Sequence, residues 1–449
     1  MRKTFLLISI IFAFSVSLGA AGKPNVCVGI LSDVHVNQAN STDIVIKALN
    51  YFRDADVDAV MIAGDMIECG MASQLQLFAD TWYSVFPGDK GRNGKHVEKL
   101  FVYGNHELYG DTYKTVHKFY TDEQIKEQSI NPRRAEVWEK CFHEKWAPIY
   151  HKKVKGYIFI GAHYNPKNIP GLEEYFASIE SKFPKGKPVF YFQHAHPKLT
   201  CCGPLVWGQD DGKSTAVLAK YPNLIAFSGH SHTTVTDERD IWQGGFTSIG
   251  TGSLRYTCAV ENDHENGRLA DGEKSQMMRI NMNDGHQGQI MRVYKDRIEL
   301  ERHDFAYDES LGTKVIPLDG SKPFNFEFRE KNDAAPVFPA GTKISTWWKN
   351  GKDRAKNPVE QLWVKFGCAV ATASTPRAYD YEVRIVNPVS GETVLSKKVY
   401  PVGVHLGDAK YSEKACFCVF SKDELPSDFK VEVVPMNSFG KAGKPLRSP

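Results

Sequence analysis

Cysteine is sparse in this chain, and what there is of it forms no motif. The nine cysteines among 449 residues stand at 27, 69, 141, 201, 202, 258, 368, 416 and 418, with no pair at CxxC spacing. That excludes a zinc ribbon and a dithiol redox motif. A chain of this length buries enough core to be stable without staples, so one or two disulfides at most are expected. Cys416 and Cys418 lie two apart in an apparent strand and face the same side, so each needs another partner. Cys368 is one option, and buried thiols are the alternative. The chain also lacks an excess of either charge: 56 Lys and Arg stand against 53 Asp and Glu, a formal net charge of +3. This excludes broad electrostatic attraction to nucleic acid or to a membrane surface, so a charged ligand must be recognised locally. Internal repeats and low-complexity tracts are missing as well.

The longest apolar run stands at the start. In MRKTFLLISIIFAFSVSLGAAG, basic Arg2 and Lys3 precede an apolar stretch from Phe5 to Phe14, and small Gly19 and Ala21 follow. This reads as a signal peptide over residues 1–21, cleaved after Ala21. The rival reading, an uncleaved anchor, has a run short for a span of about 20 residues. Export, periplasmic or secreted, is therefore expected, with no transmembrane anchor after cleavage. Loss of Arg2 and Lys3 lowers the net charge from +3 to +1. Cys27, in KPNVCVG, lacks the small-residue run of a lipoprotein signal.

The remainder, 42% hydrophobic and 24% charged over the whole chain, is too long for one ordinary domain. VCVGILS (26–32), VDAVMIAG (57–64), KLFVYG (99–104), GYIFIGA (156–162), PVFYFQ (188–193) and NLIAFSG (223–229) read as buried strands. Helical patterns lie over 42–55, 71–86 and 172–183, and a charged, aromatic insertion between Glu107 and Lys153 reads as largely helical. This is an α/β pattern with strands buried on both faces. From Phe246 the texture turns to β, in FTSIGTG, SQMMRINM, QIMRVY and RIELERHDF, read as a second sheet finishing a first domain over 22–306. A connector is expected over 307–340, then a small all-β sandwich domain over 341–449 built from QLWVKFGCAV, YDYEVRIVN, ETVLSKKVY, ACFCVFS and FKVEVVP. Its ending, MNSFGKAGKPL, resembles the last strand of fibronectin type III or immunoglobulin-like modules.

In open α/β sheets reactive groups collect where strands end, and here ligand-type residues recur at those points. LSDVH brings Asp33 and His35, IAGD brings Asp65, VYGNHE brings Asn105, His106 and Glu107, YFQH brings His194, and FSGHSH brings His230 and His232. One such residue is an ordinary cap; five groups in order are hard to explain as caps. Carboxylate, amide oxygen and imidazole suit borderline divalent metals, manganese, iron or zinc, and the absence of cysteine from the set argues against a thiolate site. Imidazoles one residue apart, His230 and His232, can reach two different ions, and two ions about 3.5–4 Å apart can clamp an in-line displacement.

The series Asp-x-His, Gly-Asp, Gly-Asn-His-Glu, His, Gly-His-x-His resembles the calcineurin-like metallophosphoesterases over about residues 25–305. The resemblance implies a two-sheet α/β/β/α sandwich and a binuclear centre of two divalent ions. It implies that Asp33, His35 and His232 hold one metal, Asn105, His194 and His230 the other, and that Asp65 bridges them. His106 is then the general acid and a bridging hydroxide the nucleophile; Asp65 and Asn105 count with His106 as catalytic. His194 is preferred to His196 because it stands directly at the strand end, which leaves His196 for the rim. The second motif, GDMIEC, lacks the Asp-Arg-Gly extension of serine/threonine protein phosphatases and the tyrosine of purple acid phosphatases.

Tyr109, Tyr164, Asn165, Trp207, Arg255 and Tyr256 are the candidates for stacking on a substrate or holding a phosphate oxygen. The reading is an exported hydrolase of a small phosphodiester or phosphomonoester, which the motifs do not separate. Its alternatives are a nuclease of the same fold, disfavoured by the near-neutral charge, and a catalytically silent surface-binding protein. The C-terminal domain is a candidate for binding a protein or glycan.

Overall fold

The computed structural model describes residues 22–38, 42–165, 168–203, 206–258, 285–318, 320, 323–352, 357–369, 377–399 and 415–449. The expected signal peptide, the strand SQMMRINM and the polar stretch before it lie outside these residues. No helix among the described residues is long and apolar enough to cross a membrane.

The first half lays down strands β1 (Val26–Leu31), β2 (Ala59–Ala63), β3 (Glu98–Val102), β4 (Ile149–Val154), β5 (Tyr157–Ala162), β6 (Val189–Phe192) and β7 (Leu224–Ser228). It continues with β8 (Ile241–Gln243), β9 (Thr247–Gly250), β10 (Gln287–Val293), β11 (Arg297–Asp304) and β12 (Glu309–Pro317). They form two six-stranded sheets, in the orders β12-β11-β10-β1-β2-β3 and β4-β5-β6-β7-β9-β8. The centre of each is parallel, β1-β2-β3 in one and β5-β6-β7-β9 in the other, with antiparallel strands outside.

The alternation along β1 shows why the layers stack. Val26, Val28 and Ile30 point between the sheets, where they meet Met61, Leu100, Phe159, Phe190 and Phe227. Cys27 and Leu31 point to the other face, under helices α1 (Asp43–Asp54) and α2 (Ala72–Val85). The second sheet packs its outer face, through Ile160 and Tyr191, on Phe176 and Leu218 of two later helices. The result is the expected α/β/β/α sandwich, with both faces of each parallel region dry.

Three expectations are corrected. Among the described residues, the β-textured region after Phe246 builds no separate sheet: β10, β11 and β12 extend the first sheet through β1, while β9, with β8 just before it, closes the second. Strand β12 lies inside the expected connector, and so does a helix at Phe326–Asn332. Strand β12 is hidden in the sequence because it shows no apolar alternation: only Leu311 and Ile316 are buried. The insertion after Glu107 is largely helical as expected but ends in β4, whose IYHKKV buries only its two ends.

The C-terminal unit has two antiparallel sheets of three and four strands, one containing Pro358–Gly367 and the other Asp380–Val386. Its core joins Leu362, Val364 and Phe366 to Tyr381, Val383 and Val433 across them, a small all-β sandwich. All nine cysteines lie among the described residues, where no disulfide joins them. Cys368 Sγ stands 3.5 Å from Cys416 Sγ as a thiol contact.

Candidate metal centre

Every ligand-type residue singled out in the sequence comes to one end of the sandwich, beyond the carboxyl ends of β1, β2, β3, β6 and β7. The loops leave those strands sharply. Asp33, His35, Asp65, His230 and His232 all have positive φ, five of the thirteen such non-glycine residues described. The left-handed region costs an L-residue about 1–2 kcal/mol, and concentrating that cost at one point marks a site whose surroundings fix it.

Backbone ties hold the loops together. Val34 N and His35 N donate to Asp65 O at 2.7 and 3.0 Å, and His230 N donates to Asp33 Oδ2 at 3.0 Å. His106 N donates to Asp65 Oδ1 at 2.9 Å. Glu107, fully buried, accepts from Asp65 N, Ile67 N and Gly104 N at 3.2, 3.1 and 2.5 Å, so one carboxylate clasps the ends of two strands. Burial and the neighbouring Asp65 charge raise it to about 7, against those three donors.

The ligand atoms form overlapping groups. Those of Asp33, His35 and His232 lie within 4.8 Å of one another, as do those of Asp65, His194 and His230, and those of His35, Asp65 and His106. Their hydrogen bonds decide what such groups can hold. His194 Nδ1 lies 2.7 Å from Ala63 O and His232 Nδ1 3.0 Å from Tyr256 O, contacts that place the ring proton on Nδ1. His35 Nδ1 stands 3.1 Å from Glu68 Oε2. The Nε2 lone pairs then face inward: His35 Nε2 is 3.4 Å from His232 Nε2, His232 Nε2 is 3.1 Å from Asp33 Oδ1, and His194 Nε2 is 2.9 Å from Asp65 Oδ2. Asn105 turns its amide nitrogen to Tyr109 Oη at 2.7 Å, leaving its buried Oδ1 with no hydrogen-bond partner. Acceptor faces acceptor throughout, which is repulsive unless a cation lies between. Protons show the same demand: burial lowers His194, yet Asp65 outweighs it and pushes the imidazole up to about 9. The donor set therefore fits two divalent ions, with Ala63 O, Tyr256 O and Glu68 orienting the rings of His194, His232 and His35.

Close approach of the loops requires glycine. At Gly104 a Cβ would overlap Asp65 Oδ1 and come within 2.5 Å of Asp65 N. Gly104→Ala is therefore expected to displace Asp65, lowering metal content per chain and turnover together while far-UV circular dichroism is kept; metal analysis beside an activity assay checks it.

Against the family models, residues 28–234 match the calcineurin-like phosphoesterases. Residues 28–234 form a calcineurin-like phosphoesterase domain. The chain is accordingly a hydrolase acting on phosphate ester bonds. Solved structures similar to it include a dimetal phosphatase from Danio rerio, at 12% identity over 66% of this chain and 100% of that one, with a TM-score of 0.39. A purple acid phosphatase from yellow lupin (Lupinus luteus) seeds is similar at 13% identity, over 66% of this chain and 55% of that one, TM-score 0.43. GAP50, the anchor in the inner membrane complex of Plasmodium, is similar at 11% identity, over 65% and 88%, TM-score 0.39. No curated protein matches the chain.

Four of the residues expected to contact substrate set their rings against the histidines of this cluster. Trp207, 40% exposed, sets its ring 4.7 Å from that of His230. Tyr164 stands 6.0 Å from His194 and 6.1 Å from His230, Tyr256 stacks on His232 at 4.2 Å, and Tyr109 lies 4.7 Å from His106. Arg255 is anchored by its N donating to Asp33 O at 3.0 Å. Asn165 is partly buried beside Tyr164. His196 is not on the rim: it is 1% exposed, beneath the His230–His232 loop. Sequence reasoning missed the roles of Glu68, which meets His35 Nδ1 and accepts from Tyr113 Oη at 2.8 Å, and of Glu107. Both sit inside the quoted motifs, GDMIE and GNHE, where only their spacing could have hinted at a supporting role.

Proposed function

We propose that this chain is an exported, two-metal phosphoesterase that hydrolyses a small phosphodiester or phosphomonoester. The observation that carries the reading is the convergence of imidazole nitrogens, carboxylate oxygens and the orphaned Asn105 Oδ1 around Asp65. In this reading Asp33, His35 and His232 hold one ion, Asn105, His194 and His230 the other, and Asp65 spans both. Two bound divalent ions, of manganese, iron or zinc, supply Lewis-acid charge and an activated water.

The chain's own residues position the rest. His106 has its Nδ1 2.6 Å from Glu68 O, and its Nε2, 4.0 Å from Asp65 Oδ2, faces the centre. When protonated there, Nε2 gives its proton to the leaving oxygen, the role of a general acid. Trp207, Tyr164 and Tyr109, whose rings stand against the histidines, would meet the organic groups of the substrate, and Arg255 would supply a guanidinium to phosphate oxygen. Export is supported by the basic start and apolar run of residues 1–21. A fibronectin type III or immunoglobulin-like C-terminal domain is supported by its sheets of three and four strands.

The test is hydrolysis of bis(p-nitrophenyl) phosphate beside p-nitrophenyl phosphate, with manganese or zinc, by the wild-type chain and His106→Ala. Metal-dependent turnover is expected, and the variant is expected to lose about 10²- to 10⁴-fold in kcat with its metal content unchanged. Equal turnover in the variant would remove His106 from the reaction.

A further inference from the structure

Behind the catalytic loop lies a second cluster of metal-ligating side chains. His196, Cys201 and Asp240 offer ligand atoms within 4.8 Å of one another, and all three are buried, at 1%, 0% and 2% exposure. None belongs to the centre described above, whose ligand set contains no sulfur.

Asp240 poses the problem this cluster must solve. Its Oδ2 is buried without a hydrogen-bond partner, and Oδ1 has only the weak thiol contact of Cys202 Sγ at 3.9 Å. The nearest cation, Arg239, is spent on Asp237, to which its Nε and Nη2 donate at 3.0 and 2.8 Å. A buried carboxylate left so must be neutralised by a proton or by a metal. Burial and the Asp237 charge push its carboxyl well above the usual range.

The partners present favour a metal. His196, a residue type that ligates uncharged, has a ring nitrogen within 4.8 Å of the ligand atoms of Cys201 and Asp240. Ser228 Oγ and Ser231 Oγ stand 2.8 and 2.7 Å from its two nitrogens, so one hydroxyl can go on orienting the ring while the other nitrogen turns to an ion. Cys201 Sγ stands 3.4 Å from Ser248 Oγ, which places that hydroxyl at hand as a fourth donor. One thiolate, one carboxylate, one neutral imidazole and a dication sum to zero charge, so a divalent ion leaves this buried cluster without an unpaired ion. We propose that His196, Cys201 and Asp240 form a structural zinc site, separate from the catalytic pair. Sulfur, nitrogen and a carboxylate oxygen in a closed site select zinc among divalent metals. Binding releases the Cys201 thiol proton and the Asp240 carboxyl proton to solvent.

The site would tie three segments together: the chain after β6, which carries His194 and His196; the Cys201 turn; and Asp240 at the start of β8. Ser231, bonded to His196, stands between His230 and His232. The zinc therefore braces the loop that supplies two ligands of the catalytic centre.

The test replaces zinc with cobalt(II) in the full chain and records the absorption spectrum beside metal content, for wild type, Cys201→Ser and Asp240→Asn. A thiolate-to-cobalt charge-transfer band is expected in wild type and absent in Cys201→Ser, and each variant should bind one equivalent of zinc less. Asp240→Asn mimics a protonated carboxyl, so if a proton is the true neutraliser that variant keeps both metal content and melting temperature. No band in wild type, or unchanged zinc in both variants, overturns the site. The band is independent of hydrolysis, so its failure is distinct from a failure of the phosphoesterase reading.

Discussion

Replacing Asp65 with alanine is expected to lower turnover of a phosphodiester by at least about a thousand-fold, since a single preorganised group in a hydrolase already contributes about 10²–10³. Asp65 does three things at once. Its Oδ2 lies 2.9 Å from His194 Nε2, its Oδ1 accepts from His106 N, and its backbone oxygen accepts from Val34 N and His35 N. Alanine keeps the backbone acceptor and removes the carboxylate, so the loops stay tied while the acceptor between the two ligand groups disappears. Metal content should fall with activity. Asp65→Asn separates charge from shape: it keeps an oxygen for one ion but loses the negative charge that both would share. Activity of Asp65→Asn close to wild type would show that no shared ion pair depends on this carboxylate.

Glu238→Ala is expected to destabilise the chain by about 3–5 kcal/mol, the cost of breaking a buried ion pair by removing one partner. Glu238 is 1% exposed, with Oε1 3.0 Å from Arg302 Nη1 and Oε2 2.6 Å from Lys314 Nζ. Its backbone oxygen accepts from Arg329 Nη1 at 2.6 Å, and its N donates to Ser438 Oγ at 2.8 Å in the C-terminal unit. Without the carboxylate, Arg302 and Arg329, both nearly fully buried, lose their counter-charge. Denaturant unfolding measures the loss. The pH dependence has a sign: burial would raise Glu238, but Lys314, Arg302 and Arg329 overcome it and hold the carboxyl well below its usual value. Its stabilisation is therefore complete above the unfolded value of about 4.3 and is lost as pH falls below that toward the depressed folded value. A variant that unfolds like wild type at neutral pH would show that this cluster contributes no net stability.

The candidate site was more legible than the fold that carries it. Asp33, His35, Asp65, Asn105, His106, His194, His230 and His232 each end a short apolar run, and parallel strands send all their carboxyl ends to one edge, so linear order became spatial convergence. Strands β12 and β4 were hidden because so few of their residues are buried, Leu311 and Ile316 in one and Ile149 and Val154 in the other. The return of β10 to pair antiparallel with β1 depends on contacts more than two hundred residues apart, which local periodicity does not encode. Glu68, Glu107 and the His196–Cys201–Asp240 cluster escaped for a related reason. Their roles lie in which atom they face, and that is set by side-chain packing.

The most direct test of the central claim is hydrolysis of bis(p-nitrophenyl) phosphate and p-nitrophenyl phosphate by the chelator-stripped chain as manganese or zinc is added back. The account predicts no turnover of either ester when stripped, recovery as metal binds, and no recovery in Asp65→Ala. Turnover that survives chelation, or equal recovery in Asp65→Ala, would contradict it.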